Sequence, residues 1–322
     1  MLIQLCKILL LINLLFPLIG LTQVRYPEKS VKIILPFSPG TSGDIIMRTI
    51  AQRLSDLYGQ QFVVENRDGG LGIPASQILI RAESDGYTFL FTGINHVTNV
   101  GLRDKLPYDT LNDFLPVSLV GIVQTALVTG KKTGITNYQE LIKRAKTKPG
   151  ELTFASAGVG TGGHLSMEMF NRATGISLRH IPYRGATGAI NDVASGQVDV
   201  LFTGIAAAIP LASDGLLNVL LVSGSKKSPN FINAPTLGEL NMIDYDVQTW
   251  FGLLAKTKTS QSIIQKISLD ISNIMRDPLI IERFNSLSVI PIGSNPDEFD
   301  RLIKKDLERW PKLIRELGIT IQ

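Results

Sequence analysis

Apolar positions along the chain alternate between short β-branched runs and segments with helical spacing. Runs of the first kind predict strands at residues 31–35, 62–64, 87–91, 152–155, 178–181, 198–202, 217–222 and 249–255, with two more short strands around Gly121 within 117–128. Helical spacing predicts helices at 44–58, 75–82, 138–146, 164–173 and 186–194, and an all-helical tail from 260 to 317. Strands that alternate with helices predict an α/β fold with mostly parallel sheets flanked by helices.

The elements form two blocks, each with its own predicted sheet. We expect residues 24–122 and 247–322 to form lobe 1 and residues 123–246 to form lobe 2, with a ligand cleft between them. Two α/β lobes joined by two crossovers are typical of hinged binding proteins and of some bilobal enzymes. No internal repeat stands out in the sequence.

The first residues differ in pattern from the rest. Lys7 is followed by an apolar stretch at 8–21, which is shorter than the roughly 20 residues that span a bilayer. A basic start, a short apolar core and small or polar residues after it predict a signal peptide over residues 1–22 and export to the periplasm. An uncleaved membrane anchor is the alternative. Cleavage would remove Cys6, the only cysteine of the chain, which suits an oxidising compartment.

Composition narrows the possible classes of function. The formal charge of +4 is spread evenly, and no basic stripe of the kind that binds nucleic acid is present. One cysteine and three widely spaced histidines (His96, His164 and His180) do not have the spacing of a metal site. We therefore expect no metal, no cofactor and no nucleic-acid partner.

Two glycine-rich junctions between a strand and a helix are the main candidates for a binding site. The first loop (residues 36–44) and the second loop (residues 156–164) each follow a predicted strand and open a predicted helix. Free N–H groups and the helix dipole make such a junction a site for anions. The alternative for either loop is that its glycines only allow a tight turn and its hydroxyls only cap a helix.

The second loop also contains the spacing G-x-G-x-x-G, at Gly158, Gly160 and Gly163. This spacing is typical of dinucleotide-binding enzymes, so an oxidoreductase is the alternative function. The next predicted strand does not end in the acidic residue that would bind a ribose, but runs into Pro182 and Tyr183. No catalytic set is predicted, because no carboxylate is placed to orient His164.

Motifs along the chain resemble a known family. They include Tyr26-Pro27-Glu28-Lys29, the first loop closed by Arg48, Val63-Val64-Glu65-Asn66-Arg67, Asp85-Gly86-Tyr87-Thr88, Pro182-Tyr183-Arg184-Gly185-Ala186 and Trp250-Phe251-Gly252-Leu253. In this order they resemble the substrate-binding proteins of the tripartite tricarboxylate transporters, also called Bug receptors. The resemblance covers nearly all of residues 24–318.

The resemblance implies a monomeric, non-catalytic receptor with the two-lobed fold of type II periplasmic binding proteins. Such a receptor holds a small carboxylate between the two loops and passes it to membrane subunits of a transporter. Carried over by position, the expected ligand-binding residues are Phe37, Gly40, Thr41, Ser42, Gly43, Asp44, Ser156, Gly160, Thr161, Gly162, His164, Tyr183 and Thr203.

The sequence departs from the family pattern at several of these positions. Thr41 and Ser42 stand where glycines are common, and Thr203 stands where an aspartate is common. Residues 92–96 occupy the position of a loop that varies with the ligand. These departures leave the distal group of the ligand open.

Overall fold

Two helix-flanked β-sheets make up the part of the chain that the computed structural model describes, residues 26–247 and 249–320. The predicted signal peptide at 1–22 lies outside the described residues. None of the described helices is long and apolar enough to cross a bilayer.

The described strands and helices follow one another along the chain with short connections. The strands are β1 (Val31–Leu35), β2 (Phe62–Asn66), β3 (Thr88–Gly93), β4 (Phe114–Val123), β5 (Thr125–Gly130), β6 (Thr153–Ser156), β7 (Arg179–Pro182), β8 (Val200–Gly204), β9 (Leu217–Val222), β10 (Thr249–Lys256) and β11 (Val289–Pro291). The helices are α1 (Ser42–Tyr58), α2 (Ile73–Arg81), α3 (Asn95–Leu102), α4 (Tyr138–Thr147), α5 (Gly162–Thr174), α6 (Ala186–Ser195), α7 (Ile205–Ser213), α8 (Gln261–Ile274), α9 (Pro278–Ser286) and α10 (Pro296–Glu316).

Each sheet combines parallel and antiparallel strands. The first has the order β11-β4-β10-β3-β1-β2, and the second has the order β7-β6-β8-β5-β9. In both, one strand (β1 or β6) lies parallel to its two neighbours, and another strand (β10 or β5) runs antiparallel to its neighbours. The predicted α/β class with helix-flanked sheets is confirmed, but the sheets are mixed rather than mostly parallel, since four of the nine pairings between the described strands are parallel.

Sheet membership supports the expected lobe boundaries. The chain leaves the first sheet at Val123, enters the second at Thr125, and returns to the first at Thr249. We therefore propose that lobe 1 comprises residues 24–122 and 247–322, and lobe 2 residues 123–246. The two crossovers then lie side by side, since Val123 pairs with Thr249.

Buried apolar faces explain why the helices pack where they do. On α1, the helical repeat puts Ile46, Ile50 and Leu54 on one face, and all three are fully buried against the first sheet. Trp250 on β10 is 1% exposed, and its Nε1–H donates to Asp306 Oδ2 at 2.8 Å. Trp250 is thus a core residue at the crossover.

Two predictions about strands were wrong. The strand break within 117–128 falls at Gln124, and β4 continues through Gly121. A Cβ on Gly121 would lie 2.8 Å from Ile290 O, so the glycine allows β11 to pair alongside. The tail is not all helix, because β11 extends the first sheet. A strand of three residues is too short for periodicity to reveal.

Helix α3, which follows β3 directly, was not predicted from the sequence. Thr92 and Gly93 end β3, and His96 lies in α3 with 2% of its surface exposed. His96 is therefore a buried residue of lobe 1 rather than part of a ligand-variable loop. Helix α3 is short and packs against α10, where a Cβ on Gly101 would meet Pro311 Cα at 2.7 Å.

A short internal repeat occupies corresponding positions in the two sheets. The pentapeptide Leu-Phe-Thr-Gly-Ile occurs at residues 90–94 and again at 201–205. The first copy ends β3 before α3, and the second ends β8 before α7. Both copies therefore occupy the same place in their lobes, at the carboxyl end of a strand beside β1 or β6.

Candidate functional site

The two glycine-rich loops have the same internal hydrogen bonds. Gly40 N–H donates to Asp44 Oδ2 at 2.9 Å, and Gly160 N–H donates to His164 Nδ1 at 2.9 Å. The hydroxyl of the threonine after each glycine donates to a loop carbonyl at 2.8 Å, Ser38 O in one case and Gly158 O in the other. The two loops thus have the same local structure, and corresponding residues lie 120 positions apart in the sequence.

Both loops leave the start of the next helix open. Thr41 and Thr161 occupy the N-cap positions of α1 and α5, but neither side chain caps its helix. Their hydroxyls are already committed to the loop carbonyls. Within the described part of the chain, no acceptor binds the N–H groups of residues 42–44 or 162–164. Such groups, together with the helix dipole, attract an anion.

In the first loop, the Asp44 carboxylate acts as an internal brace. Its Oδ1 accepts from Asn66 Nδ2 at 2.8 Å and from Arg48 Nε at 2.9 Å. Burial alone would raise the pKa of Asp44, but the hydrogen bonds from Asn66, Gly40 and Arg48 outweigh it and lower that pKa. Only the backbone N–H of Asp44 is left for a ligand.

Histidines brace the second loop. The imidazole of His164 is 4% exposed and stacks on that of His180, with ring centroids 4.0 Å apart. His180 Nε2 lies 2.7 Å from Ser156 Oγ, which accepts Gly158 N–H at 3.1 Å. Burial and the neighbouring His164 lower the pKa of His180 to about 4, so His180 is neutral at pH 7. The side chains of Ser156 and His164 therefore hold the loop in shape.

His180 was not among the residues selected from the sequence. It lies on β7, in register with Phe154 on β6, one strand away from the loop that it supports. His180 could have been selected from the fact that β6 and β7 are parallel neighbours, which brings it close to Ser156 at the end of β6. Using that fact requires the strand order, which a single sequence does not supply.

Each open helix start faces the opposite lobe. A Cβ on Gly162 would lie 2.7 Å from Thr249 Oγ1 and 3.8 Å from Ile94 Cγ2, both in lobe 1. A Cβ on Gly204, in lobe 2, would lie 3.6 Å from Ser42 Oγ at the start of α1. The structure thus brings Ser42 and Gly162 to the region between the two sheets, near the crossover strands.

Gly160 and Phe37 have packing roles beside the loops. A Cβ on Gly160 would lie 2.0 Å from Leu102 Cδ1 of α3, so this glycine is closed off by a side chain of lobe 1. The ring of Phe37 lies over Gly43, where a Cβ would meet Phe37 Cδ2 at 2.7 Å. The same ring packs edge-on against Phe251, with centroids 5.0 Å apart.

The other residues predicted to bind the ligand differ in their exposure to solvent. Gly40 is exposed, Thr41 and Thr161 are half-buried, and Thr203 on β8 is 7% exposed. The hydroxyl of Tyr183 donates to Asp192 Oδ2 at 2.5 Å, within lobe 2. Burial and that carboxylate raise the pKa of Tyr183 to about 12. The Tyr183 hydroxyl is therefore directed at α6 and away from the loops.

The geometry of the second loop argues against the dinucleotide alternative. In that fingerprint the middle glycine allows the backbone to approach a pyrophosphate. Here the middle glycine is Gly160, and Leu102 occupies the space beside it.

Within residues 26–247 and 249–320, no three His, Cys, Asp or Glu side chains are grouped so that they could hold a metal ion.

Comparisons with known proteins identify relatives over most of the chain. Residues 46–319 match the model of a family described as "Tripartite tricarboxylate transporter family receptor". Protein BugT of Bordetella pertussis is 32% identical over 299 residues, which is 92% of each chain. A protein encoded in the tcbD-tcbE intergenic region of Pseudomonas sp. strain P51 is 31% identical over 296 residues, covering 92% of this chain and 88% of that one.

Solved structures give the same result. R. palustris Rpa4515 with adipate has a TM-score of 0.86 and 30% identity, and covers 92% of this chain and 100% of its own. MatC from Rhodopseudomonas palustris with bound malate has a TM-score of 0.80 and 25% identity, and covers 90% of this chain and 100% of its own. The periplasmic binding protein BugD has a TM-score of 0.83 and 26% identity, and covers 92% of this chain and 100% of its own.

These matches confirm both the two-lobed fold of periplasmic binding proteins and the family resemblance seen in the motifs. The family is one of solute-binding receptors. The chain belongs to the tripartite tricarboxylate transporter receptor family, the Bug receptors.

Proposed function

We propose that this protein is a periplasmic, monomeric, non-catalytic receptor that binds a small carboxylate between its two lobes. In this proposal it delivers the carboxylate to the membrane subunits of a tripartite tricarboxylate-type transporter. The observation that carries the proposal is the pair of open helix starts, at Ser42 and Gly162, each of which faces a residue of the opposite lobe. Adipate and malate in the related structures support a carboxylate as the ligand.

Backbone N–H groups bind the carboxylate in this proposal. The guanidinium of Arg48, on α1 beside the first loop, is already bonded to Asp44 and Asn66. Two helix dipoles then supply the positive potential in its place. Thr41, Ser42 and Thr161 line the helix starts, whereas Asp44, Ser156 and His164 support the loops from behind.

Thermal denaturation with a panel of ligands tests the proposal. Adipate, malate and benzoate are compared with adipamide, which lacks the charge, and with NAD. A ligand that binds only the folded state raises the melting temperature. We expect at least one carboxylate to raise it, and adipamide and NAD to leave it unchanged. A shift with NAD and none with any carboxylate would refute the receptor function.

A further inference from the structure

The crossover strands pass close to the loops that carry the open helix starts. Val123, the last residue of β4, pairs with Thr249, the first of β10. Val123 Cγ1 would be 3.7 Å from a Cβ on Gly204, the residue that Ser42 faces. Thr249 Oγ1 would be 2.7 Å from a Cβ on Gly162. Thr249 therefore brings a hydroxyl to the start of α5, while Val123 lies beside the glycine that Ser42 faces.

The Thr249 hydroxyl is buried without a partner. Its Oγ1 is inaccessible to solvent and has no hydrogen-bond partner among the described residues. The other close side chain at this end of α5 is Ile94, which is apolar and offers none. Buried polar groups in folded proteins are nearly always paired, so the unpaired hydroxyl at the start of α5 is a donor that a bound carboxylate would satisfy.

Gly162 lets this hydroxyl lie directly against the helix start. Any side chain at position 162 would collide with Thr249 Oγ1, so glycine is what allows the hydroxyl to approach the first N–H groups of α5. A carboxylate oxygen there would accept from the N–H groups and from the hydroxyl together. Hydrogen bonds to a charged acceptor are the stronger kind.

We propose that Thr249 is a third ligand contact, in which its hydroxyl donates to the carboxylate oxygen held by the start of α5. This inference rests on the proposed function, and adds a contact from the hinge strand β10 to those from the two loops. The contact is specific for a hydroxyl, because a residue of the same shape without one, valine, would leave the oxygen one donor short.

Isothermal titration with the panel acid that gives the largest thermal shift tests the inference. Thr249→Val removes only the hydroxyl, Thr249→Ser keeps it, and Thr110→Val removes another buried, unpaired hydroxyl elsewhere in lobe 1. We expect Thr249→Val to weaken binding about 10- to 100-fold, the value of one charge-assisted hydrogen bond. Thr249→Ser and Thr110→Val should bind within about 3-fold of the wild type.

Stability provides the second measurement. Because the hydroxyl is unpaired without ligand, unliganded Thr249→Val should melt at or above the wild-type temperature. Wild-type affinity in Thr249→Val, or an equal loss in Thr249→Ser, would overturn the role of Thr249 and leave the receptor function intact. Failure of the wild type to bind any acid of the panel would instead overturn the proposed function, and this inference with it.

Discussion

Single residues in the second loop act by packing as much as by contact with a ligand. From the sequence, Gly160 is expected to stand where the anion approaches. In the structure its positive φ of 77° and its contact with Leu102 give it a different role. Thr98 Oγ1 also donates to Gly160 O at 3.3 Å, so this residue joins the second loop to α3 of lobe 1.

A double-mutant cycle at Gly160 and Leu102 separates packing from ligand blockage. Gly160→Ala should destabilise the unliganded protein by about 1–3 kcal/mol, because its Cβ overlaps Leu102 and its backbone angle is unfavourable. In the Leu102→Ala background, Gly160→Ala should reduce the free energy of unfolding by about 1 kcal/mol less than it does in the wild type. Urea unfolding of the four proteins measures both values. Additive free energies would show that Leu102 is not what excludes a side chain at position 160.

At the scale of elements, the return crossover before β10 contains a buried acid. Asp246 is 5% exposed, and its Oδ1 has no hydrogen-bond partner among the described residues. Burial raises the pKa of Asp246 from 3.8 to about 6, although the Gly224 N–H and the Arg309 charge partly offset this. Between these two values the folded state binds more protons than the unfolded state, so stability falls as pH rises.

Asp246→Asn should therefore stabilise the protein at neutral pH. A shift of about two pKa units corresponds to about 2–3 kcal/mol, which we expect the variant to gain at pH 7. At pH 4 the two proteins should be nearly equal, because the wild-type carboxyl is then protonated in the folded state. Urea unfolding at pH 4, 5, 6 and 7 gives the comparison. A variant less stable than the wild type at pH 7 would mean that the charge of Asp246 stabilises the crossover.

At the scale of the whole molecule, helix α5 connects the two lobes. Its Met167 and Phe170 lie in the core of lobe 2. On its other face, Leu165 and Met169 lie in a cluster with Leu102 and other buried residues of lobe 1. A large opening of the cleft would expose this apolar surface to water. We therefore expect this contact to hold the lobes near their present arrangement even without ligand.

Small-angle scattering measures this restraint. We expect the unliganded wild type to match the scattering curve calculated from the structure, with only a small decrease in radius on binding. Met169→Asp places a charge in the shared cluster, so its unliganded radius should be larger and the ligand should reduce it further. Arg172→Ala is the control, because it removes only an exposed ion pair with Glu316 between the lobes. An unliganded wild type as expanded as Met169→Asp would contradict the restraint.

Local sequence patterns were sufficient to predict most of the helices and strands and the two glycine-rich loops. A buried strand, a glycine-rich turn and a helix with an apolar face are each encoded within about 20 neighbouring residues, as around Ile33, Gly40 and Ile50. The order of the motifs was specific enough to indicate the family. Short elements such as α3 and β11 were missed, because eight and three residues give too few turns or alternations to form a pattern.

Only the tertiary structure decided which residues meet at the loops. His180 reaches the second loop from a neighbouring strand, Leu102 closes Gly160 from the other lobe, and Thr249 reaches Gly162 after a crossover of the chain. These partners are between 24 and 87 residues apart in the sequence, as in His180 with Ser156 and Thr249 with Gly162. The sequence by itself determined that two helix starts would be left open to an anion, because that depends on local backbone chemistry. The side chains that surround those helix starts depend on how two sheets pack, and packing brings together residues that no local pattern relates.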